Sequence, residues 1–213
     1  MRAETPLRIL ERGAAELGVV LSAAQLEQFE RYLVELQKWN RKVNLTGTMD
    51  LRELISRHVL DSLAGLAVLT DLPSGAEAAD LGSGAGFPGL PIKVARPDLR
   101  MTLIEPRQKR AAFLSTVCAL LALESVTVVE ARVSLKHPPE DLAGKFDCVL
   151  MRAVSEPEKA RALAAPLLSP GGRIVIWVSE QQADRAKAEF AVRRYRIPGA
   201  NMAYALLIAR ATA

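Results

Sequence analysis

The sequence predicts an α/β fold: a doubly wound, mostly parallel sheet with helices on both faces, preceded by a helical cap. Three observations lead there. From about residue 77 to residue 209, short apolar segments alternate with segments of helical period, the pattern of a parallel sheet with crossover helices. The turn after the first apolar segment is rich in glycine: Gly82, Gly84, Gly86 and Gly89. The first third of the chain shows helical period only.

The elements follow in order. Ser22 and Gln25 have the spacing of a capping box. Behind them Leu26, Phe29, Leu33 and Leu36 share one helical face. Lys38 to Gly47 is a polar break. Asp50 and Glu53 open a further helix whose apolar face is Leu51, Leu54, Ile55, Val59, Leu63 and Leu66. Residues 71–75, with Pro73, connect this cap (residues 1–70) to the core (residues 71–213). The boundary separates a cap from a core, not two independent domains. Strands are expected at Glu77–Gly82, Met101–Glu105, Val126–Glu130, Phe146–Met151, Arg173–Val178 and Tyr204–Ala209. The fourth is strongly apolar and so central. Helices are expected from Pro88 to about Arg96, then at Gln108–Leu123, Glu158–Leu168 and Gln181–Arg193, with Ser169–Gly172 as a turn.

Composition narrows the class. The chain has 213 residues, half apolar and 24% charged, with a net charge of +4, the balance of an ordinary globular domain. No charge-free apolar run approaches the roughly 18 residues of a membrane span. The N-terminus lacks the apolar centre of a signal peptide, so a cytoplasmic protein is expected. Cys118 and Cys148 lie in apolar stretches and read as buried reduced thiols. His58 and His137 have no ligand-spaced partners, and no metal centre is expected. Charge is unevenly spread. Residues 71–92 carry three acids and no base, whereas residues 93–136 carry eight bases and four acids. That small basic excess permits a nucleic-acid partner without requiring one.

The glycine-rich turn Ala79-Asp80-Leu81-Gly82-Ser83-Gly84-Ala85-Gly86-Phe87-Pro88-Gly89 faces the crevice where doubly wound folds bind cofactors. Glycine lets such a backbone turn tightly and approach a ligand. Gly84, Gly86 and Gly89 match the dinucleotide pattern literally, but a lone match is weak. The local charge is wholly negative and would repel a pyrophosphate. S-adenosylmethionine has no phosphate and carries an ammonium and a sulfonium, so Asp80 at the strand end suits it, with the amides of Gly82, Ser83, Gly84 and Gly86 near its other polar atoms. Glu105 ends the second strand, where a carboxylate can accept both ribose hydroxyls. A bare turn and a solvated strand-end charge are the competing readings.

Together with Ser169-Pro170-Gly171-Gly172, these residues resemble the class I methyltransferase superfamily. A closer resemblance, running nearly end to end, is to the bacterial 16S ribosomal RNA guanine-N7 methyltransferases, also called glucose-inhibited division protein B. It rests on Lys38-Trp39-Asn40 with Asn44-Leu45-Thr46, Arg57-His58-Val59-Leu60-Asp61-Ser62, Gly86-Phe87-Pro88-Gly89-Leu90-Pro91, Lys109-Arg110 with Phe113-Leu114, and Arg152-Ala153. The resemblance implies a Rossmann-like sheet of seven strands, the last antiparallel, and methyl transfer to N7 of one guanine in 16S rRNA or the small ribosomal subunit. It assigns cofactor contacts to Gly82, Phe87, Val133, Ser134 and Arg152. The chain departs from the family at Ser134, often a carboxylate there, and at Met151, often serine.

Guanine N7 carries an exposed lone pair at neutral pH, so the reaction needs positioning rather than a general base. Orientation of this kind is worth roughly 7–11 kcal/mol. No catalytic residue is demanded; Arg152 and His58 are the candidates. Arginine commonly binds guanine N7 and O6 together, but here N7 must stay free and a reader should engage O6 alone. His58 reads first as a core histidine satisfied near Asp61, and second as a residue shaping the site's edge from the cap. Arg107, Lys109, Arg110 and Arg57, with Lys38, Arg41 and Lys42 around Trp39, are candidate RNA contacts. A monomer is expected. The competing functions are a methyltransferase for another substrate, a non-catalytic RNA-binding module and a dinucleotide oxidoreductase.

Overall fold

The computed structural model describes residues 4–135, 140–154, 156–199 and 203–211. His137 lies outside them. Among the described residues seven strands form one sheet: β1 (Glu77–Leu81), β2 (Arg100–Ile104), β3 (Val126–Val129), β4 (Phe146–Arg152), β5 (Leu168–Ser179), β6 (Ala191–Arg196) and β7 (Ala203–Arg210). Their order is β3-β2-β1-β4-β5-β7-β6. β1 to β5 pair in parallel, and β7 runs antiparallel to both β5 and β6. The expected seven-stranded sheet is thus observed. The strand order reverses between β1 and β4, which creates a crevice at their C-terminal ends.

The cap holds α1 (Pro6–Glu16), α2 (Ala23–Val43), α3 (Leu51–Leu54), a π-helical turn (Ile55–Leu60), α4 (Asp61–Ala64) and a 3₁₀ turn (Gly65–Val68). In α2 the Ser22 and Gln25 capping box is present. The helix docks on the core through polar side chains as well as its apolar face. Gln25 Nε2 donates to Val94 O at 2.8 Å, Gln28 Nε2 to Leu121 O at 2.9 Å, and Arg31 Nη2 to Leu120 O. These carbonyls end α5 (Gly89–Ala95) and α6 (Gln108–Leu120), where a helix leaves acceptors without partners. One apolar cluster runs from Leu10 and Phe29 through Leu60 and Phe113 to Leu206. Cap and core therefore share a core. A second cluster, including Val149, Ala164, Ile176 and Leu207, packs α7 (Pro157–Ala164) and α8 (Glu180–Asp184) on the opposite face of the sheet.

Two expectations are corrected. The helix over Gln181–Arg193 ends at Asp184, and Ala191–Arg196 is β6, a strand the sequence reading lacked. Every side chain of the strand is exposed except the half-buried Tyr195, and its three arginines suit an edge strand, where charge discourages further pairing. The Ser169–Gly172 turn lies inside β5 as an irregularity. Phe146 pairs with Leu168 but Cys148 with Arg173, so the four residues bulge out of the ladder. Pro88 stands one residue ahead of α5, joined to Phe87 by a cis peptide bond.

Candidate functional site

The glycine loop crosses the crevice between β1 and α5. Gly82, Gly84 and Gly86 have φ of 81°, 57° and 95°, the left-handed region that side chains resist. A Cβ at Gly86 would collide with Leu90 Cδ1, and one at Gly89 would lie 2.7 Å from Asp80 Oδ2. At Gly82 a Cβ would meet nothing within 4 Å. The loop is therefore packed from below at Gly86 and Gly89 and open above at Gly82.

Asp80 supports this shape from beneath. It is 1% exposed, and its Oδ2 accepts the Gly89 N–H at 2.9 Å. Its Oδ1 is buried without a hydrogen-bond partner among the described residues. Burial pushes its pKa up to about 7, opposed by the Gly89 N–H. The carboxylate expected to face a ligand cation bonds through Oδ2 to the start of α5, and the loop amides expected near the ligand are themselves engaged: Gly82 and Ser83 N–H donate to Ile104 O, Gly84 N–H to Glu105 and Gly86 N–H to Ser83 O, so the open edge is the loop's remaining backbone surface. Ser83 Oγ donates to Asp80 O at 2.8 Å. Glu105 is 3% exposed and holds the loop from β2: Oε2 accepts the Gly84 N–H and Oε1 the Arg107 N–H, both at 2.9 Å. Each oxygen keeps a second lone pair for another donor. Val133 and Ser134 follow β3 and are half-buried.

The cap closes the site from the other side. Tyr32 of α2 is fully buried, and its Oη donates to Ala85 O at 2.6 Å. Phe87 lies between three cap and core groups. Its ring centre is 5.6 Å from Tyr32 and 5.0 Å from a stacked His58, and the Arg152 guanidinium carbon sits 5.3 Å away. Arg152, at the end of β4, donates Nη1 to Asp61 Oδ2 at 3.1 Å and Nη2 to His58 Nδ1 at 2.5 Å. Asp61 Oδ1 accepts from Tyr195 Oη of β6 at 2.5 Å. Burial raises the Asp61 pKa and the Arg152 charge opposes the rise. His58 is pushed down to about 4 by burial and by Arg152, so at neutral pH it is an uncharged acceptor for Arg152. Asp61 is reached through that arginine, not by a direct His58 bond. The π-helical turn carries Arg57 and His58, and such turns recur at functional sites. Tyr32 and Tyr195 were absent from the sequence-based set, and Asp61 entered it only as a neighbour of His58. Tyr32 sits beside the apolar stripe of α2, and an exposed-face pattern could not distinguish its role.

Six of the basic candidates fall in two places, and Arg57 lies apart on the π-helical turn. Arg107 and Lys109 are exposed and Arg110 half-buried at the N-terminus of α6, while Lys38, Arg41 and Lys42 are exposed near the C-terminus of α2. Arg110 Nη2 donates to Asn44 O at 3.3 Å and joins the two. Asn40 fixes the intervening loop, accepting from Thr46 N at 2.8 Å and donating to Thr46 O at 3.0 Å. Trp39 packs edge-on against Phe113 and donates to Glu35 Oε1 at 3.0 Å. Lys38 pairs with Glu35, and Arg57 with Glu53, both at 3.0 Å. Three cations at a helix N-terminus oppose the helix dipole, an arrangement that an anionic ligand would offset.

The site fits S-adenosylmethionine better than a dinucleotide. An open glycine backbone, a buried carboxylate at the second strand's end and an aromatic–arginine pair surround the crevice, and two carboxylates lie under a loop that a pyrophosphate would have to approach. Among the described residues no group of three or more His, Cys, Asp or Glu side chains could hold a metal. No helix among them is long and apolar enough to cross a membrane.

Comparison with known proteins gives the chain a family and relatives of the same fold. The profile of the GidB family, described as rRNA small subunit methyltransferase G, matches residues 25–196. A ribosomal RNA small subunit methyltransferase G from Roseiflexus castenholzii is 44% identical over 166 residues, 78% of this chain and 70% of the relative. One from Myxococcus xanthus is 37% identical over 198 residues, 89% of each chain. Among solved structures, a predicted O-methyltransferase from Agrobacterium tumefaciens aligns with TM-score 0.55 at 21% identity, covering 67% of this chain and 77% of its own. The M. jannaschii protein TYW2, solved in complex with AdoMet, aligns with TM-score 0.51 at 16% identity over 70% of this chain and 74% of its own. These last two establish the shared fold.

Proposed function

The chain belongs to the rRNA small subunit methyltransferase G family, and from that premise we propose that it transfers the methyl group of S-adenosylmethionine to N7 of a guanine in small-subunit (16S) ribosomal RNA in the cytoplasm. The observation that carries this reading is the crevice itself. The glycine loop, held by Asp80 and Glu105, lies beside Phe87 and Arg152, with a basic rim on α2 and α6 next to it. Gly82, Ser83, Gly84 and Gly86 present backbone to the cofactor, Glu105 has lone pairs for the ribose hydroxyls, and the Val133–Ser134 segment borders the crevice beyond β3. The bound cofactor supplies an electrophilic methyl on a sulfonium.

The protein's part is to hold the acceptor in line and to exclude competing geometries. No side chain is needed to take a proton, because N7 attacks through a lone pair. His58 fits that requirement: its ring is uncharged at neutral pH and its Nδ1 is occupied by Arg152. It acts as a positioning residue for the arginine. The rim of Arg107, Lys109, Arg110, Lys38, Arg41 and Lys42 supplies phosphate contacts, and the target guanine is presented single-stranded or flipped out.

Purified protein incubated with methyl-labelled S-adenosylmethionine should transfer label to 16S rRNA or small subunits lacking the modification, and not to bulk protein or small metabolites. Cofactor binding without label in any RNA would refute the substrate. Tight NAD(P) binding without S-adenosylmethionine binding would refute the cofactor.

A further inference from the structure

A second recess of about 200 Å³ opens at the C-terminal ends of β4 and β5, lined by Asp61, Arg152, Val154, Trp177, Gln182 and Tyr204 among others. Arg152 belongs to both places, since it lines this recess and also stands over Phe87 of the glycine loop. The walls are fixed. Trp177 Nε1 donates to Asp61 O at 2.8 Å and its ring covers Gly65. Gln182 Nε2 donates to Val154 O at 2.9 Å, and its Oε1 accepts from Ser179 N at 3.0 Å. Tyr204 is half-buried beside Ser179 in the β5–β7 ladder and offers an aromatic surface to a planar ring. Ala153, directly after Arg152, holds a left-handed φ of 57° without being glycine. Such backbone persists where its surroundings over-determine it, commonly at ligand sites.

We infer that this recess receives the acceptor guanine, with the Arg152–Asp61 pair reading its O6 and N1–H edge. The inference rests on the function proposed above and names the part of the site that chooses the base. Guanine carries the acceptor O6 next to the donor N1–H. The pair offers the complement, guanidinium donors beside a carboxylate acceptor: Nη1 is bonded to Oδ2 at 3.1 Å, and the N–H groups left for O6 are one on Nη2 and that on Nε. Adenine reverses the order. Its N6 amino group would face the guanidinium, and its N1 lone pair would face the carboxylate. N7 lies on the other side of O6 from N1, so a guanine read this way has its reacting atom free for the glycine-loop side of Arg152. Both groups have capacity left. Among the described residues Arg152 uses Nη1 twice and Nη2 once, three of its five N–H groups. Each Asp61 oxygen accepts one bond there, from Tyr195 and from Arg152, and a carboxylate has about four lone-pair sites.

The test uses the full chain, S-adenosylmethionine and a synthetic small-subunit rRNA fragment carrying guanine, inosine, adenine or 2-aminopurine at the methylated position. Inosine keeps O6 and N1–H and should match guanine in kcat/KM within about threefold. Adenine and 2-aminopurine lack both and should be slower by roughly 5- to 150-fold or more, the discrimination of a two-bond base contact. Asp61→Asn turns one acceptor into a donor. It should narrow the guanine-to-adenine ratio by about tenfold while S-adenosylmethionine affinity holds. An unchanged ratio with both rates lowered together would make Asp61 a support of the fold and overturn the inference. Because Asp61 is buried, Val154→Trp gives an independent reading. It fills the recess and should abolish methyl transfer with melting temperature and cofactor affinity unchanged. Normal turnover by that variant would overturn the inference. Failure of the wild-type protein to methylate any guanine would instead overturn the proposed function, and the pocket with it.

Discussion

At the scale of single residues, Asp80 shows that a side chain the sequence aimed at a ligand also holds the loop beside it. Its position before the first glycine was legible, and so was its link to the cofactor loop. Its direction was not, because a strand's alternation gives a face and not a hydrogen-bond partner. The carboxylate holds Gly89 N–H, and one oxygen stays unpaired among the described residues. Folding raises its pKa from an ordinary 3.8 to about 7. Between those values the folded state binds the extra proton, so this contribution lowers stability as pH rises from about 4 to about 7 and is flat on either side. Asp80→Asn should lack that slope, which urea unfolding at pH 5 and pH 8 would register as a smaller loss of stability than in the wild type. An equal loss would place the titration elsewhere. Asp80→Ala removes the Gly89 acceptor as well and should weaken S-adenosylmethionine binding by about tenfold, within the roughly 1–3 kcal/mol of an orphaned buried N–H. Glu105 was legible in the same partial way. The strand-end carboxylate was found, but its bonds to Gly84 and Arg107 were not.

At the scale of elements, the glycine loop and the strands around it were readable because hydrophobic period and glycine placement are local properties. The edge strand β6 was not. Its alanine-rich approach reads as helix, and only pairing of Ala191–Arg196 with β7 makes it a strand, a tertiary preference that overrides local propensity. The π-helical turn at Ile55–Leu60 has no local signal either. It is the element that brings His58 and Asp61 to Arg152, and so the sequence reading placed His58 beside Asp61 directly. The N-terminus of α6 is a case where composition was informative. Arg107, Lys109 and Arg110 stand where the helix dipole disfavours cations. Neutralising Arg107 and Lys109, which are exposed and whose side chains form no hydrogen bond or ion pair with the cap among the described residues, should weaken RNA binding and reduce the slope of log affinity against log salt by about one for each phosphate that is no longer neutralised. Binding measured at several salt concentrations checks this; an unchanged slope would show a merely solvated helix end. Arg110 is left intact in that experiment because it also ties α6 to Asn44.

At the scale of the whole molecule, the cap is part of the site and not an appendage. α2 covers the carbonyl ends of α5 and α6, places Tyr32 under Ala85 and shares its apolar core with the sheet. The cap could be drawn from the sequence as a helical segment ending near residue 70. Its docking could not, because contacts such as Gln28 with Leu121 join residues far apart in the chain. The assembled molecule presents a cofactor crevice, an arginine shared with a second recess, and a basic rim. For the proposed reaction, that combination has to align a guanine lone pair with a sulfonium methyl and needs no base. The most direct measurement is to methylate unmodified small-subunit RNA with the purified protein and locate the methyl by strand cleavage specific for 7-methylguanine. The account predicts one cleaved position, dependent on S-adenosylmethionine. Methyl transfer with no such cleavage, or with the label on another ring atom or on ribose, would contradict it.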